Sequence, residues 1–214
     1  MRRWSMVVVC VVCAVAWAPG RVGAQQGDMG VQIARANGLD AWAEVETVAF
    51  TWNNQVFKMK RSYVWDVKAR TVEATLGDGS THSIDLSDPA QRTGKAYLAF
   101  INDSYWPFFT LHMAWDEGVT VRELAVAGEL MAGATRQFEV AYGDVGPTPG
   151  DVYVLHVSGD LEDRGWIYRR GGSDMPMLLT TRSAHVTQKG ITVPTRFATG
   201  GGDTFITIEG LRIE

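Results

Sequence analysis

Cysteine is almost missing from this chain. Its 214 residues include two, Cys10 and Cys13, and both sit in an apolar run at the very start. Nothing after residue 13 can form a disulfide or supply a thiolate, so the folded part must be held by its core alone. Long hydrophobic runs are equally scarce. Residues 6–18 (MVVVCVVCAVAWA) form one, too short to span a bilayer comfortably, and no second follows. Past residue 24 there is no HExxH or CxxC spacing, no GxSxG elbow and no glycine-rich phosphate loop ahead of a helix. The four histidines, His82, His112, His156 and His185, are far apart. They read as structural or surface residues, and neither a metal site nor a cofactor is expected.

What stands at the start is an address. Arg2 and Arg3 precede the apolar run, and Val22-Gly23-Ala24 offers the small residues read by a signal peptidase. Residues 1–24 are expected to be a cleavable secretory signal peptide, cut between Ala24 and Gln25, with residues 25–214 a single exported domain. The expected location is the periplasm, with no integral membrane segment in the mature chain. Loss of Arg2, Arg3 and Arg21 makes a chain already at a formal −4 more acidic. An acidic surface argues against nucleic-acid partners and against docking on anionic lipid. Roughly 190 residues remain, enough for one sizeable core.

Periodicity predicts a short helix over residues 31–37, stopped by Gly38. A period of two then takes over. Val48, Phe50 and Trp52 share one face of a first strand, and Phe57, Met59, Arg61, Tyr63 and Trp65 share one face of a second. Strands carrying Val72, Ala74 and Leu76, then His82, Ile84 and Leu86, complete an antiparallel meander. Ser87-Asp88-Pro89 starts a helix with a stripe of Tyr97, Phe100 and Ile101, expected to end near residues 102–104 because Pro107 opposes a regular helix. Strands are predicted again over residues 135–142, 151–157, 165–169, 178–187, 191–197 and 204–213. Val152 and Val154 alternate with Tyr153, Leu155 and Val157, so that strand needs two dry faces.

Three features could carry function. Residues 102–115 are dense in aromatics: either a plug closing the core, or the wall of an apolar cavity in which Trp106, Phe108, Phe109 and Trp115 meet Trp52 and Trp65. Arg61 falls on an apolar strand face and requires an anion, from Asp66, Glu73 or a ligand headgroup, unless a bulge turns it outward. The acids Asp160, Glu162 and Asp163 lack calcium-loop spacing and read as a solvated turn.

The signal peptide, N-terminal helix, long meander, helical insert and closing strands resemble the LolA/LolB-like superfamily. Residues 190–195 with 204–213 look like its final hairpin. Asn102-Asp103-Ser104-Tyr105-Trp106 and Trp115-Asp116 resemble a group of uncharacterised exported proteins placed beside it. The resemblance implies a mainly β fold with a helical insert, an unclosed antiparallel half-barrel of about eleven strands capped by helices. It also implies a non-enzymatic binding or carrier role toward a lipid or other apolar acyl-bearing ligand. Expected ligand-binding residues are Trp52, Phe57, Arg61, Trp65, Trp106, Phe108, Phe109 and Trp115. The alternative is an envelope structural or sensor module that recognises protein segments.

Overall fold

The computed structural model describes residues 29–126, 129–146 and 148–214; the expected signal peptide and its cleavage point lie outside them. The first helix, α1 (Met29–Ala36), buries Val31, Ile33 and Ala34. It ends at Gly38, whose φ of +107° and close approach to Gly190 and Ile191 leave no room for a side chain.

The meander follows as β1 (Thr47–Asn54), β2 (Met59–Asp66), β3 (Thr71–Thr75) and β4 (Thr81–Asp85). Strict alternation of buried and half-buried residues along β1 puts Val48, Phe50 and Trp52 on the core face, as expected. Phe57 departs from expectation. It falls in the turn before β2 and is 75% exposed. The Asn54 side chain accepts hydrogen bonds from the Val56 and Phe57 amides, and Lys58 takes a left-handed φ of +49°, so the chain reverses there.

The larger correction concerns the middle of the chain. Asp88 caps a short 3-10 turn at Pro89–Gln91 through the Ala90 amide. The helix α2 then runs Lys95–Trp115, straight through the aromatic segment expected to leave helical structure. Pro107 costs one backbone hydrogen bond, to the Asp103 carbonyl, and Phe108 opens to φ −112°, ψ 18°. The helix bends there and continues, because thirteen of its rings and chains from Ala96 to Met113, together with Pro107, are buried.

The second half adds β5 (Val119–Leu124), β6 (Arg136–Tyr142), β7 (Val152–Val157), β8 (Asp163–Arg169), β9 (Leu178–Ser183), β10 (Val186–Gln188), β11 (Ile191–Val193), β12 (Arg196–Thr199) and β13 (Thr204–Ile213). β5 was not anticipated. Two expected strands each split in two: Ala184, at φ +54°, ends β9, and Pro194 separates β11 from β12. β10 and β11 pair only with each other.

All other strands form one antiparallel sheet of eleven, in the order β4-β3-β2-β1-β13-β12-β9-β8-β7-β6-β5. The terminal strand β13 pairs with β1, Trp52 opposite Ile208, and so joins the four strands of the meander to the seven of the second half. β4 and β5 remain as edges, so the barrel is not closed. The fold is the unclosed half-barrel with helical insert. α2 fills its inner face: Phe108 meets Phe50 on β1, Phe109 meets Trp166 on β8, and Trp106 meets Phe197 on β12. The two dry faces of β7 have different covers. Tyr153 packs on Phe109 inside. Outside, the Met131 amide donates to His156 Nδ1, and the Met131 sulfur lies over Gly165.

Candidate functional site

Among the described residues, three polar groups in the apolar interior are placed by α2 or face it. The first surrounds Asp103, whose side chain is fully buried. Arg61 Nη2 donates to Oδ1 at 2.7 Å, Asn102 Nδ2 donates to the same oxygen at 2.9 Å, and Tyr63 Oη donates to Oδ2 at 2.7 Å. Arg61 also lies over the Trp52 ring, 4.3 Å from its centroid. The anion that Arg61 requires is therefore a protein carboxylate, but neither Asp66 nor Glu73: it comes from a helix 42 residues away. Burial pushes the Asp103 carboxyl up to about 6, against the opposing pull of Arg61. Burial beside that carboxylate also drives the Tyr63 hydroxyl far above its ordinary value.

The second group is the ion pair between Arg182 and Asp163, 0% and 1% exposed. Asp163 is thus not part of a solvated turn, although Asp160 beside it is exposed. The Arg182 guanidinium sits 3.7 Å over the Trp166 ring, with Phe109 and Phe197 also close. Desolvation raises the Asp163 pKa and lowers that of Arg182.

The third group borders a cavity of about 580 Å³ between α2, the end of the meander and the loop after β6. Trp65, Leu86, Tyr97, Phe100, Ile101 and Trp115 make its apolar wall; Arg92, Ser104, His112, Asp116 and Glu117 are its polar groups. His112 Nδ1 lies 3.2 Å from Asp116, and Nε2 lies 3.2 Å from Ser104 Oγ. Tyr105 donates to Asp116 and stacks on the imidazole, centroids 4.1 Å apart. A second, more open hollow of about 590 Å³ is lined by Phe57, Met59, Arg61, Leu76, Lys95 and Leu98, among others. Among the described residues no group of three or more His, Cys, Asp or Glu side chains converges as metal ligands would.

The eight residues expected to bind ligand therefore separate. Trp65 and Trp115 line the first cavity, and Phe57 and Arg61 line the second. Trp52, Trp106, Phe108 and Phe109 pack into the core, the two phenylalanines with no exposed surface. The aromatic segment is chiefly a plug, with a cavity left at one end. Sequence reasoning missed Asp103, Ser104, His112 and Asp116. Asp103, Ser104 and Asp116 stood only inside the motifs of the resemblance, with no role given to them; for His112 and Asp116 the signal was their spacing of four, legible only once the helix is continued past Pro107.

No family model matches the chain, and no curated protein matches it. Among solved structures, the chain is similar to the crystal structure of a DUF1329 family protein from Desulfovibrio piger. The two are 13% identical with a TM-score of 0.44, over 86% of this chain and 92% of that one. No helix of the described residues is long and apolar enough to cross a membrane.

Proposed function

We propose that this protein is an exported, periplasmic binding or carrier protein that holds a lipid or another apolar acyl-bearing ligand. The observation that carries the reading is the 580 Å³ cavity beside α2, walled by aromatic and aliphatic side chains and of a size that suits a small ligand. Each buried methylene stabilises by roughly 0.8 kcal/mol, so a chain of about ten carbons gives useful affinity with few polar contacts. The LolA/LolB-like resemblance supports the same class of ligand.

The test is mass spectrometry of an organic extract from protein purified from its own host without detergent, alongside a Trp65→Ala variant. The expected result is a stoichiometric acyl-bearing molecule that is depleted in the variant. Clean extracts from protein shown to be folded would overturn the reading.

A second reading, recognition of protein segments, is favoured by the two unpaired strand edges and by Met175 and Met177, 77% and 63% exposed beside β9. Co-purification of one specific protein with no small molecule would select it.

A further inference from the structure

Ser104, His112 and Asp116 stand in the order that nucleophilic catalysis requires. Asp116 faces Nδ1 of the imidazole at 3.2 Å from both carboxylate oxygens, which fixes the Nδ1–H tautomer. The lone pair on Nε2 then faces Ser104 Oγ, 3.2 Å away. The serine hydroxyl can donate to that nitrogen, or back to the Ile101 carbonyl at 2.9 Å. Tyr105, stacked on the ring and hydrogen-bonded to Asp116, holds the arrangement in place. All three side chains border the apolar cavity.

The helix break explains how they meet. In a straight helix, residues eight apart are separated by about 12 Å along the axis. Here Pro107 and the non-helical Phe108 fall between the two. A helical side chain leans toward the N-terminus, so across the break His112 reaches back to Ser104, as it also lies one turn before Asp116. The geometry is that of a serine–histidine–carboxylate triad built on one kinked helix, with none of the sequence marks of a nucleophile elbow.

We propose that Ser104 is an acyl-accepting nucleophile and that the protein hydrolyses esters of the apolar chains held in the adjoining cavity. The substrate class rests on the acyl-binding reading above. In the first step Ser104 Oγ attacks the ester carbonyl carbon and its proton passes to His112 Nε2. The carbon–alkoxy bond then breaks, and the alcohol leaves with that proton. In the second step a water molecule gives its proton to Nε2 and attacks the acyl-serine. The carboxylic acid departs and the proton returns to Ser104 Oγ. Asp116 acts as a positioning residue, orienting the imidazole and stabilising its charged form.

The experiment uses three probes on the full chain: a decyl fluorophosphonate, p-nitrophenyl decanoate, and a fluorescent long-chain fatty acid whose binding is read separately. The expected result is one phosphonyl adduct, mapped by peptide mass spectrometry to Ser104, and slow release of nitrophenolate. Ser104→Ala abolishes both while still binding the fatty acid. His112→Gln lowers turnover by about 100-fold, and Asp116→Asn lowers it with a changed pH–rate profile, which a purely structural role would leave alone. Fatty-acid binding without any Ser104 adduct overturns the nucleophile and leaves the cavity reading standing. An adduct elsewhere, or turnover that persists in Ser104→Ala, overturns it as well. Absence of fatty-acid binding by folded protein overturns the cavity reading and, with it, the proposed substrate class. Because the adduct is located in the unaltered protein, the result does not depend on a variant folding.

Discussion

Asp103 occupies a site where ionisation is expensive. Its carboxylate has no exposed surface, yet it is held by one guanidinium, one phenol and one amide. The balance leaves its carboxyl at about 6, burial outweighing Arg61. An ordinary carboxyl, as in the unfolded chain, titrates near 3.8. The folded protein therefore binds more protons than the unfolded one between those values, and stability from this residue falls as pH rises through the window. The full difference corresponds to roughly 3 kcal/mol. Carboxylates such as Glu209, held low by Lys60 and Asn53, act in the opposite direction, so the measurement must isolate one residue. Urea unfolding of the unaltered protein and of Asp103→Asn from pH 4 to 7.5 does so. The stability of the unaltered protein relative to the variant is expected to decline steadily between pH 4 and 6 and then level off. A difference that does not vary with pH would show that the carboxyl titrates normally.

At the scale of elements, α2 determines how much of the molecule could be read in advance. The meander was legible because a half-buried strand writes its burial as alternation: Val48, Phe50 and Trp52 on β1 needed no further information. The course of α2 was not legible, because Pro107 is a strong local signal against a helix. What overrides it is non-local: Phe50, Trp166 and Phe197, more than 50 positions away in sequence, pack on the rings at either side of the proline, Phe108, Phe109 and Trp106 respectively. Burial against those strands outweighs the lost hydrogen bond. The partner of Arg61 was hidden for the same reason, since a helix that ends at residues 102–104 does not bring Asp103 onto the sheet's inner face. Phe109 tests this account. It has no exposed surface and touches Tyr153, Trp166 and Tyr105. Phe109→Ala is expected to cost about 3–5 kcal/mol of folding stability, measured by denaturant unfolding. Leu98→Ala, on the exposed side of the same helix, should stay within about 0.5 kcal/mol. Equal losses at the two positions would mean that α2 is not the core of the half-barrel.

Taken as a whole molecule, the sheet is open and has no disulfide to close it. β4 and β5 are edges at opposite ends of eleven strands, and α2 is what both ends share. That helix plugs the inner face with Trp106, Phe108 and Phe109, and beside its first turns and its C-terminal turn it leaves the cavity bordered by Trp65, Phe100, Ile101 and Trp115. Filling the cavity and holding the fold are therefore linked. A ligand that binds only the folded chain stabilises it by about 2.7 kcal/mol at one hundred times its dissociation constant. For a domain of this size that corresponds to a rise in Tm of roughly 5–10 °C. A saturating medium-chain fatty acid is expected to produce such a rise in a thermal melt followed by tryptophan fluorescence. Trp115→Ala, which removes one ring of the cavity wall, should keep a cooperative melt and lose most of the rise. Trp106→Ala should do the reverse: a lower Tm from the loss of packing against Trp166 and Phe197, with the ligand-induced rise retained. If both variants lost the rise equally, the cavity and the plug would be one structure that opens to admit the ligand. The acyl chain would then have to displace α2 from the sheet.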